Sequence, residues 1–233
     1  MDINILIITA ISIGFIHTII GPDHYLPFIV MGKARNWSMK KTQWITFLCG
    51  IGHVLGSVLL GVAGIALGIA LNLLEDIESY RGDLASWLLI GFGLAYGVWG
   101  IRLAYRSKKH VHDHDHSTEG HHQHTHTHFG KHSHIHGDEK SVTPWALFIV
   151  FVLGPCEPLI PILMYPASQG SWIDVFWVSL AFGIVTIVTM MAMVYLVSLG
   201  MMKIKTDFLE RYVHALAGFI IAFSGLAIKL FGL

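Results

Sequence analysis

The segment from Phe15 to Ile51 recurs without a gap 133 residues further along the chain, and this constrains the fold more than any other feature. Phe15, Ile16, Gly21, Pro22, Leu26, Ile29, Met31, Ala34, Trp44, Gly50 and Ile51 recur as Phe148, Ile149, Gly154, Pro155, Leu159, Ile162, Met164, Ala167, Trp177, Gly183 and Ile184. A second stretch, offset by 127, matches Leu89, Gly91, Phe92, Ala95, Ile101 and Leu103 to Leu216, Gly218, Phe219, Ala222, Ile228 and Leu230. The chain is two copies of one unit, so its fold must be one that a duplicated unit can build.

The units are made for lipid. Hydrophobic residues are 54% of the chain and charged residues 13%, against about 25% charged in a soluble domain. Such a chain satisfies its backbone in a bilayer only as helices. Apolar segments at 3–31, 44–71, 84–103, 142–164, 173–200 and 212–231 give three spans per copy. An odd number turns the second copy upside down relative to the first. The expected fold is an all-α membrane protein of six transmembrane helices, arranged as two inverted three-helix repeats with proline-broken helices 1 and 4. The units fall at 1–105 and 141–233, with a loop at 106–140 between them.

Basic residues give the expected orientation. Lys33, Arg35, Lys40 and Lys41 follow span 1; Arg106, Lys108, Lys109, Lys131 and Lys140 follow span 3; Lys203, Lys205 and Arg211 follow span 5. The alternate loops are acidic (72–83, with only Arg81) or lack Lys and Arg (166–174). The three basic loops should be cytoplasmic in a cell (inner) membrane, with both termini outside. Residues 1–20 lack a basic leader segment and read as a retained helix. The formal net charge of zero gives no argument for a nucleic-acid partner, and the two cysteines, Cys49 and Cys156, imply no disulfide framework. The small-xxx-small pairs Gly52/Gly56, Gly64/Gly68 and Gly93/Gly97 read as close helix packing.

Each copy carries Gly-Pro inside its first span, at Gly21-Pro22 and Gly154-Pro155. Proline removes one donor and crowds the carbonyl four residues back, near Thr18 and Phe151. Broken backbone at membrane depth persists only where protein or a watery cavity covers it, and paired breaks point to a central site. Ionisable residues follow both breaks: Asp23 and His24, then Cys156 and Glu157. They are costly in a bilayer and mark function. His17 lies two turns before His24, and His53 is in span 2. The candidate metal ligands are therefore His17, Asp23, His24, His53, Cys156 and Glu157. Nitrogen, oxygen and sulfur donors together suit a borderline ion such as Ni²⁺, Co²⁺ or Zn²⁺ rather than Ca²⁺ or Mg²⁺. His214, alone near a membrane surface, reads as structural.

Histidines 110, 112, 114, 116, 121, 122, 124, 126, 128, 132, 134 and 136 crowd the central loop. A segment so poor in apolar residues should be disordered without ligand, and its imidazoles should buffer late transition metals on the cytoplasmic side.

The His-x5-Asp-His at His17–His24, the Gly-x-Gly-His at Gly50–His53, the Gly-Pro-Cys at Gly154–Cys156 and the histidine-rich loop resemble the NicO-type nickel/cobalt transporters and the urease-accessory-like membrane proteins of the LysE superfamily. The resemblance implies Ni²⁺ or Co²⁺ as the substrate. The known permeases have His-x4-Asp-His, one residue shorter, and exporters of that family read Pro-Cys-Pro where Glu157 stands here.

The expected function is transport of a divalent transition-metal ion by alternating access, with no enzymatic activity, no catalytic residue and no resident cofactor. The partners are the metal ion and the lipid bilayer, with a homo-oligomer or a cytoplasmic metallochaperone as the protein partner. Two other classes compete. A membrane thiol–disulfide electron conduit also carries Pro-Cys after a helix break, but it needs thiols whose Cα atoms lie within about 7 Å, and the repeat does not pair Cys49 with Cys156. An exporter of sulfite or small organic anions would leave the histidines unused.

Overall fold

The computed structural model describes residues 2–106, 110–114, 122–126, 142–156, 158–201 and 207–231. Helix α1 (Ile3–Ile20) ends at a 3-10 turn (Pro22–His24) and continues as α2 (Leu26–Ala34). Helices α3 (Met39–Ala66) and α4 (Leu71–Arg106) complete the first copy. A two-stranded antiparallel ladder, β1 (His110–His114) and β2 (His122–His126), follows. The second copy comprises α5 (Val142–Leu153), α6 (Leu159–Ser168), α7 (Trp172–Met201) and α8 (Asp207–Phe231).

Among the described residues, five helices are long and apolar enough to cross a membrane: α1, α3, α4, α7 and the Arg211–Leu230 part of α8. The chain is a membrane protein built of helices. The expected span 142–164 is instead two short helices, α5 and α6, parted at Gly154–Pro158. Neither alone reaches across about 30 Å of hydrocarbon at 1.5 Å per residue.

One expectation is corrected. The acidic segment 72–83 is no loop: it forms the first turns of α4, which runs 36 residues unbroken. Nothing in it stops a helix, for proline is absent and its charges are spaced for helix faces. In the histidine loop, the described residues pair His110 with His126, His112 with His124 and His114 with His122. Alternating His-x-His with Val111 and Thr125 suits an extended strand. The other histidines of 106–140 lie outside the described residues.

Packing follows from small residues. Helix α4 lies against α8, α1 against α7, and α3 against both α5 and α7. A methyl group on Gly93 would come within 2.4 Å of the Ala222 backbone nitrogen, and one on Gly218 within 2.2 Å of the Gly97 nitrogen. The α4–α8 contact is thus backbone against backbone, as the Gly93-xxx-Gly97 spacing predicts. Large apolar side chains such as Ile8, Phe15, Trp44 and Leu59 face outward, where a bilayer supplies the apolar surroundings. The buried side chains form two clusters. One gathers Phe28, Met31, Cys49 and Phe151 with Met190 and Val194 of α7. The other gathers Leu6, Ala10, Cys156 and Leu163 with Val178 and Phe182 of α7.

Candidate metal centre

The first break builds the site. Gly21 is extended (φ −77°, ψ 98°) and stops α1. The 3-10 turn over Pro22–His24 then swings His24 back toward the helix it left. Freed backbone groups find partners: the Gly21 N–H donates to the His17 carbonyl (2.9 Å) and the Tyr25 hydroxyl to the Ile19 carbonyl (3.2 Å). His17, one turn before the break, and His24, just after it, meet edge to face with ring centroids 4.8 Å apart. Helix α3 brings His53 to the other side of His24, at 5.1 Å.

His24 and His53 are 1% and 3% exposed, and the nitrogens available for ligation on all three rings lie within 4.8 Å of one another. Hydrogen bonds fix the tautomers of two rings. His24 Nδ1 lies 3.2 Å from the Gly21 carbonyl and 3.2 Å from Asp23 Oδ1. His53 Nδ1 lies 3.3 Å from the Phe151 carbonyl. A carbonyl and a carboxylate only accept, so each Nδ1 carries the proton and each Nε2 keeps a bare lone pair. Among the described residues, Nε2 of His17, His24 and His53 is buried without a hydrogen-bond partner in every case. Buried nitrogens normally have partners; three unpartnered ones within 4.8 Å of one another could hold a metal ion. The donation of the far ring nitrogen to a carboxylate or carbonyl is also how metal-binding histidines are usually held.

A cavity of about 20 Å³ adjoins the rings, lined by Asp23, His24, His53, Ala85, Phe151 and Gly154 among others. It is sized for one water or ion.

Of the six expected ligands, the structure brings together His17, His24 and His53. Asp23 Oδ1 lies 3.2 Å from His24 Nδ1, and Asp23 lines the same cavity as His24 and His53. Cys156 is fully buried in a cluster with Leu159, Leu163, Val178 and Phe182, outside the histidine trio, and the Ser57 hydroxyl accepts from its amide (3.0 Å). Glu157 lies outside the described residues. His214 is not alone, since its Nδ1 lies 2.8 Å from the Tyr96 hydroxyl beneath Trp99; this is a packing cluster.

Sequence reasoning missed a buried charge pair. Arg81 Nη1 sits 2.6 Å from Glu78 Oε1, while Arg81 Nη2 donates to the carbonyls of Val152 (3.0 Å) and Gly154 (3.4 Å). Arg81 thereby satisfies oxygens freed at the second break. The signal was its standing as the single base in the acidic segment 72–83.

The two cysteines are both free thiols and sit at different depths. Cys156 holds Ser57 of α3, eight residues beyond Cys49. Its neighbour Phe182 on α7 likewise lies eight residues before Met190, which packs with Cys49. Eight helical residues are two turns, or about 12 Å.

Residues 26–227 match the family described as the cytochrome c biogenesis protein transmembrane region. No curated protein and no solved structure matches the chain. The family match overturns the resemblance to NicO-type and urease-accessory-like proteins of the LysE superfamily, and with it nickel or cobalt as a transported substrate. That resemblance rested on short motifs around helix breaks, a device that unrelated membrane bundles share. Between the classes weighed from sequence, the match favours a thiol–disulfide conduit over metal transport. His17, Asp23 and His24 precede the matched segment, whereas Cys49, His53 and Cys156 fall within it. The chain belongs to the family of the cytochrome c biogenesis protein transmembrane region.

Proposed function

We propose that this member of the family binds one late transition-metal ion inside the membrane, with His17, His24 and His53 as ligands and Asp23 orienting His24. The observation that carries the reading is the set of three buried, unpartnered Nε2 atoms. Neutral imidazoles suit zinc or copper. Bonds of about 2.0–2.1 Å to one ion would draw the nitrogens to roughly 3.4 Å from one another. Small ring rotations about the side-chain bonds suffice for that. The test is the zinc and copper content of purified protein whose loop histidines have been replaced by asparagine. One ion per chain is expected, lost in His24→Ala; an unmetallated parent contradicts the reading.

A second reading follows the family more closely: a thiol–disulfide electron conduit. Cys156 favours it, standing fully buried directly after the second break with its amide fixed by Ser57. With Cys49 two turns away, exchange would run between the Cys156 thiolate and a disulfide of a partner protein, forming a mixed disulfide and releasing the partner's other sulfur as a thiolate. Trapping a mixed disulfide through Cys156 in membranes would support it, and an unreactive Cys156 across oxidising and reducing conditions would remove it.

For the fold, we propose that the two halves are related by a twofold axis in the membrane plane. Exchanging α1 with α5 and α3 with α7 turns the α1–α7 contact into the α5–α3 contact and leaves α4–α8 in place. On this plan α5 and α6 together make the sixth crossing, and the basic segments face the cytoplasm.

A further inference from the structure

One stretch of α4, residues 78–85, stands between two cavities. On one side is a space of about 480 Å³ lined by Glu75, Asp76, Glu78 and Ser79 and by the start of α6. On the other is the small histidine chamber, to which Gly82 and Ala85 contribute. Arg81 lies on α4 between Ser79, which lines the first space, and Gly82, which lines the second. It is paired with Glu78, which lines the acidic space yet is 1% exposed, and it reaches past Ser57 to the carbonyls of the second break. Room for the guanidinium comes from Gly56 of α3, where a methyl group would lie 2.9 Å from Arg81 Nη2. Gly154, whose carbonyl Arg81 holds, also touches the site: a methyl group there would lie 3.2 Å from His53 Nδ1. A continuous line of contacts thus runs from the acidic vestibule through Glu78, Arg81 and Gly154 to His53.

We propose that the Arg81–Glu78 pair is a gate that closes the histidine chamber to the acidic vestibule. Both halves of the partition depend on it. The guanidinium occupies the passage, and its bonds to Val152 and Gly154 hold the end of α5 against α3. Separation of the pair removes the donors from those carbonyls, and the second break is then free to move off His53 and open the chamber. The vestibule's acids give the passage a preference for cations and for protonated or neutral groups over anions. The gate is independent of the two functional readings above, since either a metal ion or a reacting thiol would need access to the centre.

The test uses the full-length protein in sealed vesicles, in a Cys49→Ser, Cys156→Ser background. Ser79→Cys reports the vestibule and Ala85→Cys the chamber. A membrane-impermeant methanethiosulfonate reagent is added from either face. Ser79→Cys should react quickly from one face, which identifies the side of the vestibule. Ala85→Cys should react slowly while the gate is intact, because a buried thiol waits for opening. Glu78→Gln or Arg81→Gln should speed labelling of Ala85→Cys about ten-fold or more from that same face, as the open population rises. Arg81→Lys, which keeps the charge without the fork, should fall between. Unchanged labelling in a folded Glu78→Gln or Arg81→Gln protein overturns the proposal. Equal acceleration from both faces overturns it too, since that is general loosening. If both variants fail to insert, Gly56→Ala displaces the guanidinium without removing either charge, and an unchanged labelling rate there is equally fatal.

Discussion

His53 Nδ1 lies 3.3 Å from the carbonyl oxygen of Phe151, the oxygen that Pro155, lacking an N–H, cannot reach. The second helix break thus does its work on the first copy's histidine. It offers an acceptor to Nδ1, which leaves Nε2 bare and aimed at His24. The two breaks meet at His53, since the first positions His24 beside it and the second supplies its acceptor.

This division of labour sets the order of effects at the site. His17→Ala, His24→Ala and His53→Ala should each abolish stoichiometric metal binding. Asp23→Asn should weaken it about 10–100-fold without abolishing it, the usual range for a partner that orients a metal-binding histidine. Isothermal titration with zinc checks this. Loss in Asp23→Asn as complete as in His24→Ala would make Asp23 a ligand.

The placement of both breaks was legible because Gly-Pro repeats at a fixed offset, and His17, Asp23, His24 and His53 were legible as costly polar residues in apolar spans. Their roles were not. Asp23 and His24 are adjacent in sequence, and only the 3-10 turn shows that one binds the other. Cys156 matches Asp23 in the repeat yet is buried in an apolar cluster with Leu159, Leu163 and Phe182, surroundings that the repeat alignment does not show. Arg81 and Glu78 were hidden by a boundary error. A charged stretch reads as a loop, but here it is helix, and its buried face carries the pair.

The thiols give a second prediction. With Cys49 and Cys156 about two turns apart along both α3 and α7, they should not join in a disulfide within one chain. Mild oxidation followed by denaturing alkylation and mass spectrometry should find no intrachain linkage. A near-quantitative Cys49–Cys156 disulfide would show that the bundle reaches a different packing.

Glycines separate packing from backbone freedom. Gly93→Ala should destabilise the protein by about 1–3 kcal/mol or more, since overpacking costs that much and its neighbours are backbone atoms of α8. Gly91→Ala, with nothing within 4 Å of the new methyl group, should be neutral or slightly stabilising. Thermal unfolding in detergent compares the two. Equal effects would place the α4–α8 contact elsewhere.

His214→Ala should leave metal binding intact and cost only the hydrogen bond to Tyr96, about 0.5–1.5 kcal/mol. Thr186→Ala should be tolerated as well, because the Thr186 hydroxyl makes no hydrogen bond among the described residues. Zinc titration of either variant matching the parent supports the assignment of the trio.

The most direct measurement is the zinc X-ray absorption spectrum of the purified protein with its loop histidines replaced by asparagine. One ion per chain with three imidazole nitrogens at about 2.0–2.1 Å, absent after His53→Ala, is the predicted result. A spectrum dominated by sulfur, or one unchanged by His53→Ala, would contradict a three-histidine centre.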